Sequence, residues 1–119
     1  SLKNKVLWIV DDMIDTCGSV HKLILELAKH EPKEINVAIV HPVFSNPAPE
    51  RLADLIKKGV LSNIVTTDTV NCNKGFENIK DHLHIVSSAD LASEVIYRLN
   101  QERSLSSLFD PFGAEEYLN

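Results

Sequence analysis

Residues 11–19, with the sequence DDMIDTCGS, combine acids, hydroxyls and a glycine directly after an apolar run. Glycine lets the backbone approach a ligand closely, and free N–H groups at the start of a following helix attract an anion such as phosphate. Thr16 and Ser19 add hydroxyl donors. Asp11 and Asp12 would repel a phosphate, but their carboxylates can accept hydrogen bonds from the hydroxyls of a ribose. The segment therefore predicts a site for a sugar phosphate.

The surrounding apolar pattern places this segment between a strand and a helix. Residues 6–10 are a continuous apolar run, which predicts a strand covered on both faces, with Trp8 in the core. A helical face is predicted after the segment, made by Val20, Leu23, Ile24 and Leu27. Ligands of α/β sheets bind beyond the carboxyl ends of the strands, so residues 11–19 are predicted to form a loop suited to binding.

The rest of the chain continues the alternation of strands and helices. Further strands are predicted at residues 35–40, 64–67 and 83–86. A helix is predicted from Pro49 until Gly59 stops it, and a last helix from Ser87, which has the spacing of a capping box with Asp90. This order predicts an α/β fold with a mainly parallel sheet and flanking helices.

Composition excludes several classes of function. The chain has 119 residues, enough for one domain, and its 17 acidic against 12 basic residues argue against a nucleic-acid partner. No apolar run approaches the roughly 20 residues that cross a bilayer, and no signal peptide is recognisable, so we predict a cytoplasmic protein with no membrane partner. Cys17 and Cys72 lack the spacing of a metal site and are predicted to be free thiols.

Four segments resemble the ribose-phosphate pyrophosphokinases, the synthetases of phosphoribosyl pyrophosphate (PRPP). VDDMIDTCGS resembles their ribose-5-phosphate loop, HPVFSNPAPERL and NIVTTDTV resemble segments further along, and ERSLSSLF resembles their C-terminal segment. The four occur in the family's order across almost the whole chain. The resemblance implies a phosphoribosyltransferase-like fold, incomplete relative to the full family fold. Residues 1–109 would be part of the C-terminal domain, and residues 110–119 a tail without an assigned role.

The resemblance also implies a reaction and a set of site residues. The family transfers the diphosphoryl group of Mg-ATP to the anomeric hydroxyl of ribose 5-phosphate, giving PRPP and AMP. Asp11 and Asp12 would hold the ribose hydroxyls. Asp15 would contribute its backbone N–H, because its carboxylate repels the anion. The residues implied to wrap the 5-phosphate are Asp15, Thr16, Cys17, Gly18 and Ser19.

A regulatory site for phosphate or a nucleotide, at a subunit interface, is implied for Ser104, Ser106 and Phe109. Oligomers with identical or related subunits are implied as well. Asn46 stands where the family usually has glycine, and we predict that it keeps a positive φ in that turn.

The family's N-terminal domain, catalytic Lys and Arg, and magnesium-binding His and Asp have no counterpart in this sequence. The resemblance therefore implies the C-terminal portion of a synthetase. We predict that this portion has no metal ligands of its own and does not transfer the diphosphoryl group by itself.

Three other functions stay open. A noncatalytic subunit of a synthetase complex would share the resemblance, although such a subunit has no physical reason to keep two acids beside a phosphate site. A PRPP-consuming phosphoribosyltransferase shares the loop but not VFSNPA or SLSSLF. A receiver domain of two-component signalling also has paired acids after its first strand. It requires a lysine after its fifth strand, however, whereas here Val86 is followed by Ser-Ser-Ala.

Overall fold

The computed structural model describes residues 1–71 and 75–109. Cys72 and the predicted tail, residues 110–119, lie outside the described residues. The chain divides into two compact units, Ser1–Val86 and Ser87–Asn119. Each unit is described by itself below.

The first unit is built on a parallel sheet of four strands in the spatial order β1-β2-β3-β4. The strands are β1 (Val6–Ile14), β2 (Glu34–Pro42), β3 (Asn63–Thr67) and β4 (Leu83–Val86). Parallel neighbours need crossover connections. These are supplied by α1 (Gly18–Ala28), α2 (Ala48–Lys57) and a short 3-10 helix (Glu77–His82). The predicted α/β fold with a parallel sheet is confirmed.

The core lies between one face of the sheet and the two α-helices. Ile24 of α1 and Leu52 and Leu55 of α2 are buried together with the strand residues Ile35, Val37, Ile39 and Ile64. Leu23, predicted on the inner face of α1, is exposed, because the helix buries a narrower stripe around Val20 and Ile24.

The opposite face of the sheet is open in this unit. Trp8 is 54% exposed and Val10 is 76% exposed, although both were predicted to be covered. That prediction is wrong for the described structure. Successive residues of a strand point to opposite faces. Leu7 and Ile9 pack against the core, so Trp8 and Val10 point the other way.

Two backbone features near the sugar-phosphate segment differ from the prediction: the end of strand β1 and the conformation of the turn after β2. Strand β1 continues through Asp11 and Asp12 to Ile14, so both acids lie in a strand and not in a loop. In the connection after β2, Phe44 has a positive φ of 45°, whereas Asn46 does not have a positive φ, so the prediction for Asn46 is wrong. Phe44 is fixed in that position because its N–H donates to the Ile14 carbonyl oxygen at 3.0 Å.

Helix α2 confirms its sequence signals. Pro49 occupies the first turn, where a missing N–H costs nothing, and Gly59, with a φ of +70°, lies just beyond the end.

The second unit contains α3 (Ala89–Asn100) and a short 3-10 helix (Ser106–Phe109). The predicted capping box is wrong. Ser88 is the N-cap, and the Ser87 hydroxyl accepts from the Ala89 N–H at 3.2 Å. No residue of α3 is buried. Among the described helices, none has both the length and the apolar character needed to span a membrane.

Candidate functional site

A depression of about 290 Å³ lies where β1 leads into α1. Six of the seven residues predicted to bind ribose 5-phosphate line it, together with apolar neighbours. The lining residues are Asp11, Met13, Ile14, Asp15, Thr16, Cys17, Gly18, Ser19 and Val20. The turn and the end of the strand therefore form a single concave surface.

The two adjacent acids are placed differently. Asp11 lines the depression, whereas Asp12 is not among the lining residues. Their side chains point to opposite faces because both residues lie in β1. The Asp12 N–H donates to the Asp11 carboxylate at 2.9 Å, which leaves further acceptor positions on that carboxylate. The structure thus places Asp11, and not Asp12, in the depression, and the ligand contacts of both acids stay predictions.

The turn into α1 is made at Cys17. This residue has φ 64° and ψ 16° in the left-handed region, and its carbonyl oxygen accepts from the His21 N–H at 3.0 Å. The N–H groups of Gly18, Ser19 and Val20 belong to the first turn, where the helix offers no acceptor. That turn carries no acidic residue, so the positive end of the helix dipole is left free to attract an anion.

The Cys17 thiol is unsuited to nucleophilic chemistry. It is buried, and burial raises its pKa from 9.0 to about 11. The nearby Arg51 charge and a hydrogen bond from the His21 backbone lower the pKa, but by less than burial raises it. At neutral pH the thiol is therefore protonated. Cys17 contributes its backbone conformation and its volume to the turn.

Arg51 of α2 contacts the turn from outside the depression. Its guanidinium donates to the Thr16 carbonyl oxygen at 2.8 Å. A Cβ atom added to Gly18 would lie only 3.3 Å from the nearest guanidinium nitrogen. Arg51 was not identifiable from sequence, because the contact joins two segments 35 residues apart and no local spacing indicates it.

The predicted regulatory residues lie in the second unit. The Ser104 hydroxyl donates to the Ser106 hydroxyl at 3.0 Å and accepts from the Ser106 N–H at 3.1 Å. Arg98 donates to the Ser104 carbonyl oxygen at 3.3 Å and also pairs with Glu94, as the spacing predicts. The Phe109 ring is exposed. These contacts order the segment locally, and its regulatory role stays a prediction.

Comparisons with known proteins agree with this description. Residues 1–78 match the family model of the phosphoribosyl transferase domain. A ribose-phosphate pyrophosphokinase of Halalkalibacterium halodurans is 34% identical over 109 residues, which cover 92% of this chain and 33% of the relative. The chloroplastic ribose-phosphate pyrophosphokinase 2 of Arabidopsis thaliana is 36% identical over 91% of this chain and 26% of the relative.

A solved structure gives the same result. The crystal structure of phosphoribosylpyrophosphate synthetase from Mycobacterium smegmatis superposes with a TM-score of 0.74 and 28% identity, over 85% of this chain and 32% of that one. The chain thus spans a third or less of the length of these relatives. The fold is phosphoribosyltransferase-like, as the resemblance implied, and the chain belongs to the phosphoribosyl transferase domain family.

Proposed function

We propose that this chain is the ribose-5-phosphate-binding part of a ribose-phosphate pyrophosphokinase. The observation that carries the proposal is the depression between β1 and α1, which places an acid and an anion-attracting helix start on one surface. The sugar and the phosphate of the same ligand need these two kinds of group.

Each part of the depression has a proposed role. The N–H groups of the first turn of α1 and the hydroxyls of Thr16 and Ser19 would bind the 5-phosphate. Asp11 would accept a hydrogen bond from a ribose hydroxyl. Asp12 is proposed to hold a second hydroxyl, and Asp15 to act through its backbone N–H, because its carboxylate repels an anion.

The complete reaction needs more than these residues provide. The family's reaction uses ATP and Mg²⁺, whereas residues 1–71 and 75–109 contain no group of three His, Cys, Asp or Glu side chains placed to hold a metal ion. No step is therefore assigned to the metal in this chain. We propose that the chain binds ribose 5-phosphate but makes no PRPP by itself; AMP release from ATP that depends on ribose 5-phosphate would contradict this.

We also propose that the chain acts within an oligomer, in the cytoplasm. The open sheet face supports association, because monomeric proteins rarely expose a broad apolar surface without a partner. Trp8, Val10, Val40 and Val86 are all large apolar residues exposed on this sheet.

Calorimetric titration with ribose 5-phosphate tests the proposed function. The chain should bind ribose 5-phosphate more tightly than ribose or inorganic phosphate. Asp11→Asn should weaken binding at least about 10-fold, because a hydrogen bond to a charged group contributes about 1.5–3 kcal/mol. Asp12→Asn tests the second acid separately. Glu34→Gln, at the start of β2, removes a carboxylate away from the depression and should leave affinity unchanged. Equal affinity for ribose 5-phosphate and inorganic phosphate, with no effect of Asp11→Asn, would contradict the proposal.

A further inference from the structure

We infer that Arg51 is a positioning residue of the sugar-phosphate site, which holds the turn of residues 15–19 in its binding conformation. The inference rests on the proposed function for the ligand and on the described contacts for the mechanism. Arg51 is not among the residues that line the depression in the described part of the chain. It therefore acts through the turn and not by touching the ligand.

The first contact is a hydrogen bond that restrains the turn from outside the depression. Arg51 donates to the carbonyl oxygen of Thr16, one residue before the left-handed Cys17. A non-glycine residue with positive φ persists only where its surroundings hold it. The carbonyl of Thr16 belongs to the peptide unit that continues into Cys17, so a donor on this oxygen restrains the rotation that would release the turn.

The second contact links Arg51 to the glycine of the motif. Apart from the guanidinium, the nearest atom to an added Cβ at Gly18 is the Thr16 hydroxyl oxygen at 3.9 Å, an ordinary contact. The guanidinium nitrogen at 3.3 Å is thus the crowding neighbour. Glycine at position 18 gives the guanidinium room to reach Thr16. Arg51 and Gly18 should behave as a coupled pair.

Arginine suits this position because its planar group can donate to a carbonyl while lying flat against a glycine. Its charge also favours an anion bound by the turn, and a charged donor makes a stronger hydrogen bond than a neutral one. Helix α2 is packed into the core through Leu52 and Leu55, so the arginine projects from a fixed support.

The test uses Arg51→Ala in the full chain, with Lys57→Ala as the matched control. Lys57 lies on the same helix and carries the same charge, but it is exposed near the opposite end. We expect Arg51→Ala to weaken ribose 5-phosphate binding about 10-fold, the effect of losing one charge-assisted hydrogen bond. Millimolar guanidinium chloride should restore most of the affinity of Arg51→Ala, whereas equimolar sodium chloride should not. A merely structural loss would not be rescued in this way.

Amide hydrogen exchange provides a readout that needs no ligand. The His21 N–H is bonded to the Cys17 carbonyl oxygen, so it reports whether the turn is closed. Arg51→Ala should speed its exchange about 10-fold, and Lys57→Ala should not, because the change is a local opening. If the wild-type chain binds no ribose 5-phosphate while the exchange responds as expected, the proposed function fails, and the restraint of the turn by Arg51 stands without a role in binding this ligand.

A double-mutant cycle measures the coupling with Gly18. Gly18→Ala should reduce affinity for ribose 5-phosphate clearly in the presence of Arg51 and much less in Arg51→Ala, because the crowding neighbour is then gone. Equal losses in both backgrounds would overturn the coupling. Unchanged His21 exchange and unchanged affinity in Arg51→Ala would overturn the positioning role itself.

Discussion

Cys17 illustrates how much a single residue can decide in this site. A left-handed φ favours glycine, and asparagine tolerates it better than most side chains, yet the structure places a buried cysteine there. A cysteine at the start of a helix can be a reactive thiol or a small residue tolerated in a tight turn. Burial favours the second interpretation, because it raises the pKa of the thiol to about 11 and keeps it protonated.

Thiol labelling checks this conclusion. In the native chain at pH 7.5, iodoacetamide should modify Cys17 very slowly, since the thiolate is the reactive species and its fraction there is small. Denaturation should speed the reaction at least 10-fold by removing the burial that raises the pKa. Mass spectrometry of the peptide that contains Cys17 separates it from Cys72. Rapid labelling of Cys17 in the native chain would contradict the assignment.

The two helices beside the site are joined by a group of polar side chains on their outer surface. Asp54 of α2 binds Lys58, the residue that follows this helix, at 2.7 Å and His21 of α1 at 3.3 Å. These hydrogen bonds, first that of Lys58 and then that of His21, hold the pKa of Asp54 below its ordinary value of 3.8. The contact joins the helix that begins at the turn to the helix that carries Arg51.

The lowered pKa of Asp54 predicts a specific dependence of stability on pH. A carboxylate with a lowered folded-state pKa stabilises the fold above its unfolded value of 3.8, and this contribution is lost as pH falls through the lower folded-state pKa. Near pH 6, Asp54→Asn should lower the Tm by about 1–3 °C, in keeping with an exposed pair. The difference from wild type should shrink below about pH 4.

Thermal unfolding followed by circular dichroism measures this difference. Lys58→Gln should reproduce part of the effect because it removes the first partner of Asp54. The neighbouring exposed Lys57 provides the control, and Lys57→Gln should leave the pH dependence unchanged. A difference between wild type and Asp54→Asn that stays constant down to pH 3 would contradict the role of this pair.

The elements were predictable where local periodicity decides them. Helix α2 has an apolar face, a proline in its first turn and a glycine after its end, and the structure follows all three signals. The extent of β1 was not predictable, because Asp11 and Asp12 read as loop residues. Pairing with β2 continues on both sides of Asp12, because Asp11 lies opposite Ile39 and Met13 opposite His41. The contact of Arg51 with Thr16 was not predictable either, because it joins residues 35 positions apart in the sequence.

At the scale of the whole molecule, the two faces of the sheet differ in chemistry. The covered face is mainly aliphatic, whereas the open face combines exposed valines with a polar row at the amino ends of the strands, where Asn36 is buried. In that row, Asn63 donates to Asn36 at 2.9 Å, and His84 is bonded to Asn63 at 3.1 Å. The apolar run of residues 6–10 predicted burial on both faces, but such a run does not indicate which element supplies the cover. The open face is therefore the part of the fold that sequence periodicity describes least well.

The exposed valines of this face predict self-association of the chain. Val10 on β1 is 76% exposed, and the exposed Val40 on β2 and Val86 on β4 lie on the same face of the sheet. Burying such side chains is worth about 1.5–3 kcal/mol each, so two copies should associate as concentration rises from micromolar to millimolar. Sedimentation velocity should show the chain moving from monomer to dimer or larger species over this range.

A charged residue on the open face should prevent that association. The charged side chain introduced by Val10→Lys would have to lose its hydration in the contact. This variant should therefore stay monomeric at concentrations where the wild type associates. Leu23→Lys provides the matched control, because Leu23 is an exposed apolar residue on α1, outside the sheet. It should associate as the wild type does. Association that Leu23→Lys abolishes and Val10→Lys leaves unchanged would place the contact on the helical side and remove the open face from the oligomer.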